Sequence, residues 1–299
     1  MKLLLRALAR LSLGSNQAVG AFLGRLVYWF SPRYRNHLLD NLGSSGICPN
    51  REALHALARM NAAEIGKGAT ELAWVLYRPL EDVVGLVKSR TGWDDVERLR
   101  AVNKPILFVT PHLGGYDVAG RYLWGQLPGV MMAMYRPHKL GWLDRLIREG
   151  RDRGSGPDDT HTATATLAGV RKVLRHMRGG GGTILLPDQV PGVGEGEWVD
   201  FFGRPAYTMT LVGRLQQAAD AAIVFFFAER LPRGEGFAVH CRAMRQPLPV
   251  DRREAALLVN REVEALVKMC PAQYLWGYNR YKRPAGAPPP PAYGVSKAA

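Results

Sequence analysis

From residue 106 onward the chain alternates short apolar, β-branched runs with longer stretches of helical periodicity, and this alternation restricts the fold more than any other feature of its 299 residues. Strands are expected at 106–110, 130–135, 183–186, 222–228 and 237–242, with helices at 118–127, 143–150, 164–178, 211–219 and 252–269. Strands that return to one sheet through helices build an α/β domain, here a mixed, mostly parallel sheet covered by helices on both faces. Upstream, residues 52–76 place Leu54, Leu57, Ala58, Met60, Ala63 and Ile65 at helical spacing, so the amino-terminal part is also helical. One domain over 31–284 is expected, preceded by a separate helical segment at 1–30. Residues 285–299, with prolines at 288–291 and few apolar side chains, are expected to form a disordered extension.

In open α/β sheets, ligands bind outside the carboxyl ends of the strands. The first strand runs out into Thr110-Pro-His-Leu-Gly-Gly-Tyr-Asp117, which puts His112 and Asp117 at that position. On a continuous helix, five residues subtend about 500°, leaving the two side chains roughly 140° apart. They can face each other only across a bend, which Gly114 and Gly115 supply. An Asp117 that accepts the Nδ1 proton of His112 would fix the tautomer and leave Nε2 as a base with a pKa near neutrality. The second strand ends in Arg136 and the third in Asp188 and Gln189. Arg136 can clamp a phosphate bidentately, Arg151 and Arg153 can add to it, and Asp188 and Gln189 supply further hydrogen-bonding groups. Alternatively, Arg136 and Asp188 pair with each other and close the sheet rim. The four glycines at 179–182 precede a strand instead of opening a helix, so they read as a turn and not as a phosphate cradle. The chain has no GxSxG elbow, P-loop or HExxH string, which argues against serine-hydrolase and nucleotide-driven mechanisms.

A net charge of +14 points to an anionic partner. Nucleic acid is disfavoured, because the sequence lacks an RNP-like string, zinc-finger spacing and a basic region with heptads. Cys48, Cys241 and Cys270 are odd in number and widely spaced, which argues against a disulfide framework or a zinc site. At the amino terminus, Lys2, Arg6, Arg10 and Arg25 interrupt an apolar segment in which Phe22, Leu23, Leu26, Val27 and Phe30 recur at helical spacing. Its uncharged stretches fall far short of the roughly 20 residues that cross a bilayer. It therefore reads either as an interfacial membrane helix or as an amphipathic helix packed on the protein body.

Residues 112–117 resemble the H-x4-D/E motif of the glycerolipid and lysophospholipid acyltransferase superfamily. Tyr135-Arg136-Pro137, Leu186-Pro-Asp-Gln189 with residues 201–206, and residues 227–234 and 271–284 extend the likeness. In that order they make the chain similar to the lipid A biosynthesis acyltransferases of the lauroyl and myristoyl type. The resemblance runs to about Pro284. It implies that an acyl chain moves from an acyl carrier protein thioester, or from coenzyme A, to a hydroxyl of a lipid A precursor. His112 would be the general base and Asp117 its orienting acid, while Arg136, Arg151, Asp188 and Gln189 would bind the anionic glycolipid. Phe201, Phe202 and Tyr207 are candidates to help line the acyl groove, although aromatic residues in such positions more often belong to the core. No metal or cofactor is implied, and the protein would sit on the cytoplasmic face of the inner membrane. The family often carries Glu at 117 and basic residues at 277 and 279, where this chain has Gly277 and Asn279. Other acceptors within the same chemistry are a phosphatidylinositol mannoside, an ornithine lipid or a lysophospholipid. A basic membrane- or nucleic-acid-binding protein is the distant alternative, since it would not need His112, Asp117 and Arg136 together.

Overall fold

The computed structural model describes residues 2–135, 162–164 and 166–291. Seven strands form one sheet in the order β1-β9-β8-β2-β5-β3-β4. They are β1 (Val87–Thr91), β2 (Ile106–Val109), β3 (Met131–Tyr135), β4 (Thr162–Thr164), β5 (Gly182–Leu185), β8 (Ala222–Arg230) and β9 (Phe237–Ala243). The β8–β9 pair is antiparallel and the other described pairings in this sheet are parallel. A separate hairpin joins β6 (Gly196–Phe201) to β7 (Arg204–Met209). The mixed, mostly parallel α/β sheet expected from the alternation is therefore present.

All five expected strands occur, together with β1, β4 and the hairpin, which were not expected. Their sequences explain the omission. β1 reads Val-Lys-Ser-Arg-Thr and is largely exposed, and β4 has three residues. The hairpin turns on Phe202 and Gly203, with φ of 46° and 69°. A type I′ hairpin turn needs positive φ at both central positions, which Asn-Gly or Asp-Gly usually signals and Phe-Gly does not.

The core follows the two-residue period of the strands. On β2, Leu107 and Val109 join one apolar cluster while Ile106 and Phe108 join another on the opposite face. On β8, Ile223, Phe225 and Phe227 alternate in the same way with Val224, Phe226 and Ala228. The first cluster is closed by α8 (Leu167–Arg178), α9 (Leu211–Ala219) and α10 (Arg252–Met269), the second by α6 (Trp93–Ala101) and α7 (Tyr116–Gln126). Asp251 caps α10 by accepting from the Glu254 amide at 2.8 Å, a bond that starts the helix where the expected pattern begins.

The amino-terminal layer comprises α1 (Lys2–Arg10), α2 (Leu13–Phe30), α3 (Pro32–Gly43), α4 (Arg51–Tyr77) and the short α5 (Leu80–Val84). α2 packs against α4 at very close range, because Gly20, Gly24 and Gly66 remove side chains where the helices cross. A Cβ on Gly66 would stand 2.0 Å from the Gly20 carbonyl oxygen. The opposite face of α2 exposes Phe22, Leu23, Val27 and Phe30, the last at 81%. The face of α2 against α4 matches the packed amphipathic helix expected of this segment. The disordered tail expected from 285 onward needs correction at its start, while 292–299 lie outside the described residues. Ala287 is buried, and the Trp198 indole on the hairpin donates to the Pro288 carbonyl at 3.0 Å. An aromatic surface on β6 holds these residues although their own apolar content is low.

Candidate active site

The site begins with strand register. β2 and β5 are parallel neighbours in the middle of the sheet, with Val109 opposite Leu185. His112 and Asp188 each lie three residues beyond this pair, so the two chains leave the sheet side by side. The His112 Nδ1 lies 2.7 Å from Asp188 Oδ1, and the His112 backbone N–H donates to Asp188 Oδ2 at 2.8 Å. Both carboxylate oxygens therefore contact His112. Asp188 is an acceptor here, so Nδ1 carries the proton and Nε2 presents its lone pair. The Gln189 amide nitrogen stands 3.2 Å from Nε2 and donates to it in this tautomer.

The structure places Asp188 at Nδ1 of His112, where Asp117 was expected. The reason is geometric: Asp117 belongs to the first turn of α7, where the helix dipole favours its charge. It shares a hydrogen bond with the Tyr116 hydroxyl and reaches His112 through its charge. The bend at Gly114 and Gly115 exists, but it serves another purpose. Gly114 has φ of 61°, and a Cβ there would lie 2.0 Å from the Ala228 carbonyl oxygen. The Gly115 N–H donates to that same oxygen at 2.8 Å, so the bend seats the loop on β8.

Electrostatics follow from this pairing. Burial pushes the His112 imidazole down, but the charge and hydrogen bond of Asp188, helped by Asp117, outweigh it and raise the group above its ordinary 6.5. Burial likewise pushes Asp188 up, yet the charge of His112 and the bonds from its ring and backbone, with Arg280, hold the carboxyl below its usual range. Tyr274, buried and hydrogen-bonded to Asp188, is raised well above 10 and keeps its proton. The Tyr116 ring sits edge-on to the imidazole, with centroids 5.0 Å apart. The result is an oriented imidazole whose Nε2 faces the side with the exposed Gln189 side chain.

A second layer fixes the loop. Arg230, at the end of β8, donates through Nε and Nη2 to Glu71 at 2.6 and 2.7 Å and through Nη1 to Glu64 at 2.9 Å. Its Nη2 also reaches the Gly114 carbonyl at 3.3 Å. The Gly114 N–H donates to the Gln273 carbonyl, and the Leu275 N–H to the His112 carbonyl, both at 3.1 Å. The His112 loop is thus clamped between β8 and residues 273–275. Sequence reasoning assigned no role to Arg230, Glu71, Gln273 or Tyr274, although the blocks 227–234 and 271–284 that carry the family likeness contain three of them.

Arg136, Arg151 and Arg153 lie outside the described residues, as does the expected helix at 143–150. Phe201, Phe202 and Tyr207 are buried, and Phe201 and Phe202 pack with Tyr274 and Trp276. They pack in the core beneath the site, which is the more common place for aromatic residues at such positions. Their position follows from the hairpin, whose apolar face closes on α10.

The model of the bacterial lipid A biosynthesis acyltransferase family matches residues 2–283. The chain is 24% identical over 273 residues to the lipid A biosynthesis lauroyltransferase of Escherichia coli K12, covering 90% of this chain and 86% of that protein. It is 27% identical over 186 residues to the lipid A biosynthesis acyltransferase of Haemophilus influenzae, covering 62% and 56%. Against the lipid A biosynthesis myristoyltransferase of E. coli K12 it is 27% identical over 194 residues, covering 64% and 58%. The chain thus spans less than two thirds of two of these relatives and most of the third.

Proposed function

Because the chain belongs to the bacterial lipid A biosynthesis acyltransferase family, we propose that it transfers a fatty acyl chain from a thioester to a hydroxyl of a lipid A precursor, with His112 as the general base. The observation that carries this reading is the His112–Asp188 pair at the carboxyl end of a central parallel strand, with Nδ1 2.7 Å from the carboxylate, a contact that favours the tautomer with its lone pair on Nε2. Nε2 takes the proton of the acceptor hydroxyl as its oxygen forms a bond to the thioester carbonyl carbon. The tetrahedral intermediate then collapses, the C–S bond breaks, and the imidazolium returns the proton to the departing thiolate. Asp188 stabilises that imidazolium through Nδ1, and Asp117 adds its charge from the start of α7. Gln189 swings aside from Nε2 to admit the hydroxyl. The step needs no covalent enzyme intermediate, since the acceptor oxygen is itself the nucleophile.

Acyl carrier protein is the proposed donor carrier, in keeping with the +14 charge of the chain, and coenzyme A is the substitute. Arg136 and Arg151 are proposed to hold the phosphates of the glycolipid. Residues 1–30 are proposed to lie on the cytoplasmic face of the inner membrane, with 31–284 as the acyltransferase domain. The apolar stripe Phe22, Leu23, Val27 and Phe30 supports this, since it points away from α4 while the other face of α2 holds the helix to the protein. Among the described residues no helix is long and apolar enough to cross a membrane. Mass spectrometry of lipid A from cells with and without the protein tests the function. Loss of one secondary acyl chain is expected. An unchanged lipid A beside altered phospholipids, ornithine lipids or phosphatidylinositol mannosides overturns the acceptor assignment.

A further inference from the structure

Two arginines are buried near the site, and their surroundings differ. Arg230 is matched by Glu71 and Glu64, and Glu64 also pairs with Lys67. Arg280 is 3% exposed, yet among the described residues it has no carboxylate at salt-bridge distance. Its Nη1 donates to the Tyr207 carbonyl at 2.9 Å and its Nη2 to the Thr208 hydroxyl at 2.6 Å. Its Nε is buried with no hydrogen-bond partner, and the guanidinium carbon lies 5.1 Å from the centre of the Phe201 ring. A buried cation held only by neutral groups is costly unless a negative charge stands nearby. The carboxylate that reaches it through charge is Asp188.

We propose that Arg280 is a positioning residue of acyl transfer: its guanidinium is the counter-charge of Asp188, keeping that carboxylate ionised on His112 while restraining its pull on a second ring proton. The inference rests on His112 being the base. An Asp188 without a counter-charge would favour a permanent imidazolium–carboxylate pair, and a protonated Nε2 cannot accept the hydroxyl proton. With Arg280 present, Asp188, Arg280 and neutral His112 sum to zero. The positive charge gained on proton transfer is then matched by the oxyanion of the tetrahedral intermediate. The other groups facing the pair leave this role open. Tyr274 and Tyr116 stay protonated, Asp117 adds negative charge, Arg230 is matched by its glutamates, and Gln189 is neutral. Burial opposes the charge on Arg280 and holds its pKa below the ordinary arginine value, which fits a cation stabilised across a distance and not by contact.

The test compares full-length wild type with Arg280→Gln, which keeps a donor but no charge, and Arg280→Lys, which keeps the charge. The ring carbon resonances of ¹³C-labelled histidine are followed against pH, with His112 identified by its loss in His112→Asn. The pKa of His112 is expected to rise on the order of one unit in Arg280→Gln and to stay near wild type in Arg280→Lys. The acid limb of kcat/KM should move with it. Should the glutamine variant not fold, Arg280→Met, which fills the stem volume with no polar group to satisfy, serves as the neutral form. An unmoved His112 titration in a folded neutral variant overturns the proposal, because a purely structural role would lower stability without shifting that titration. A moved titration with an unmoved acid limb overturns instead the assignment of His112 as the base.

Discussion

Replacing Asp188 by Asn keeps the size of the side chain and inverts its chemistry at one atom. In the native pair, the Nδ1 proton of His112 faces a carboxylate oxygen at 2.7 Å and the other oxygen accepts the His112 backbone N–H at 2.8 Å. An amide that keeps its oxygen on the backbone N–H turns its NH2 toward Nδ1. The ring then changes tautomer, so that Nε2 carries the proton and cannot serve as a base. General-base assistance contributes roughly 10²–10⁴ in rate, so Asp188→Asn is expected to lower kcat/KM by that factor, about 3–5 kcal/mol of barrier at 1.36 kcal/mol per decade. The pH dependence adds a second readout. The native His112 pKa lies above 6.5 chiefly because of Asp188, so the acid limb of the wild-type profile should fall above that value. In Asp188→Asn the residual activity should show an acid limb moved to lower pH. The same groups act on stability in opposite directions. The lowered Asp188 contributes stability that is present above its unfolded value of about 3.9 and is lost as pH falls through the folded value. The raised His112 contributes stability that is present below about 6.5 and is lost as pH rises through its folded value. Steady-state acyl transfer from an acyl carrier protein thioester, read by mass spectrometry on protein of native circular dichroism, measures the rate, and ¹⁵N chemical shifts of the ring report the tautomer. Turnover within threefold of wild type, or a ring that keeps its proton on Nδ1, would refute the reasoning. Asp117→Asn should leave the proton on Nδ1 even where turnover falls.

Arg230→Met leaves Glu71 buried without its partner, and urea unfolding should show a loss of about 3–5 kcal/mol; a loss under 1 kcal/mol would contradict the role given to the cluster. Gly66→Ala places a methyl 2.0 Å from the Gly20 carbonyl oxygen and should cost about 1–3 kcal/mol by forcing α2 off α4, seen as faster proteolysis within residues 11–31; unchanged stability would show that the helices part freely. Phe22→Ser with Phe30→Ser should reduce binding to anionic phospholipid vesicles at least tenfold, since each exposed phenylalanine that enters the bilayer interface contributes roughly 1.5–3 kcal/mol; undiminished cosedimentation would remove α2 from the membrane contact.

The parts of this protein written in local sequence were legible, and the parts that depend on sheet order were not. Periodicity alone located α9 and α10 with the bounds found in the structure, because each helix buries one stripe in the core and begins at an element boundary. His112 was legible as a residue just past a buried strand. Its partner was not: Asp188 lies 76 positions away, and the two meet because β2 and β5 are neighbours in register. A reading confined to one loop reaches for Asp117 instead. The clamp on that loop was hidden for the same reason, since Glu71, Arg230 and Gln273 come from three distant elements. The β6–β7 hairpin was hidden by a turn of Phe202 and Gly203, which lacks the usual turn residues. Residues 285–288 were misread because composition describes a segment alone and says nothing of the Trp198 surface that receives it.

Transfer by His112→Ala is the measurement that bears most directly on the proposed chemistry. Wild-type protein, an acyl carrier protein thioester and a lipid A precursor should give a product heavier by one acyl chain. The folded alanine variant should lose at least about two orders of magnitude in turnover while still binding the precursor. Near-normal turnover by a folded His112→Ala protein would contradict proton abstraction by His112 and the roles of Asp188 and Arg280 that depend on it.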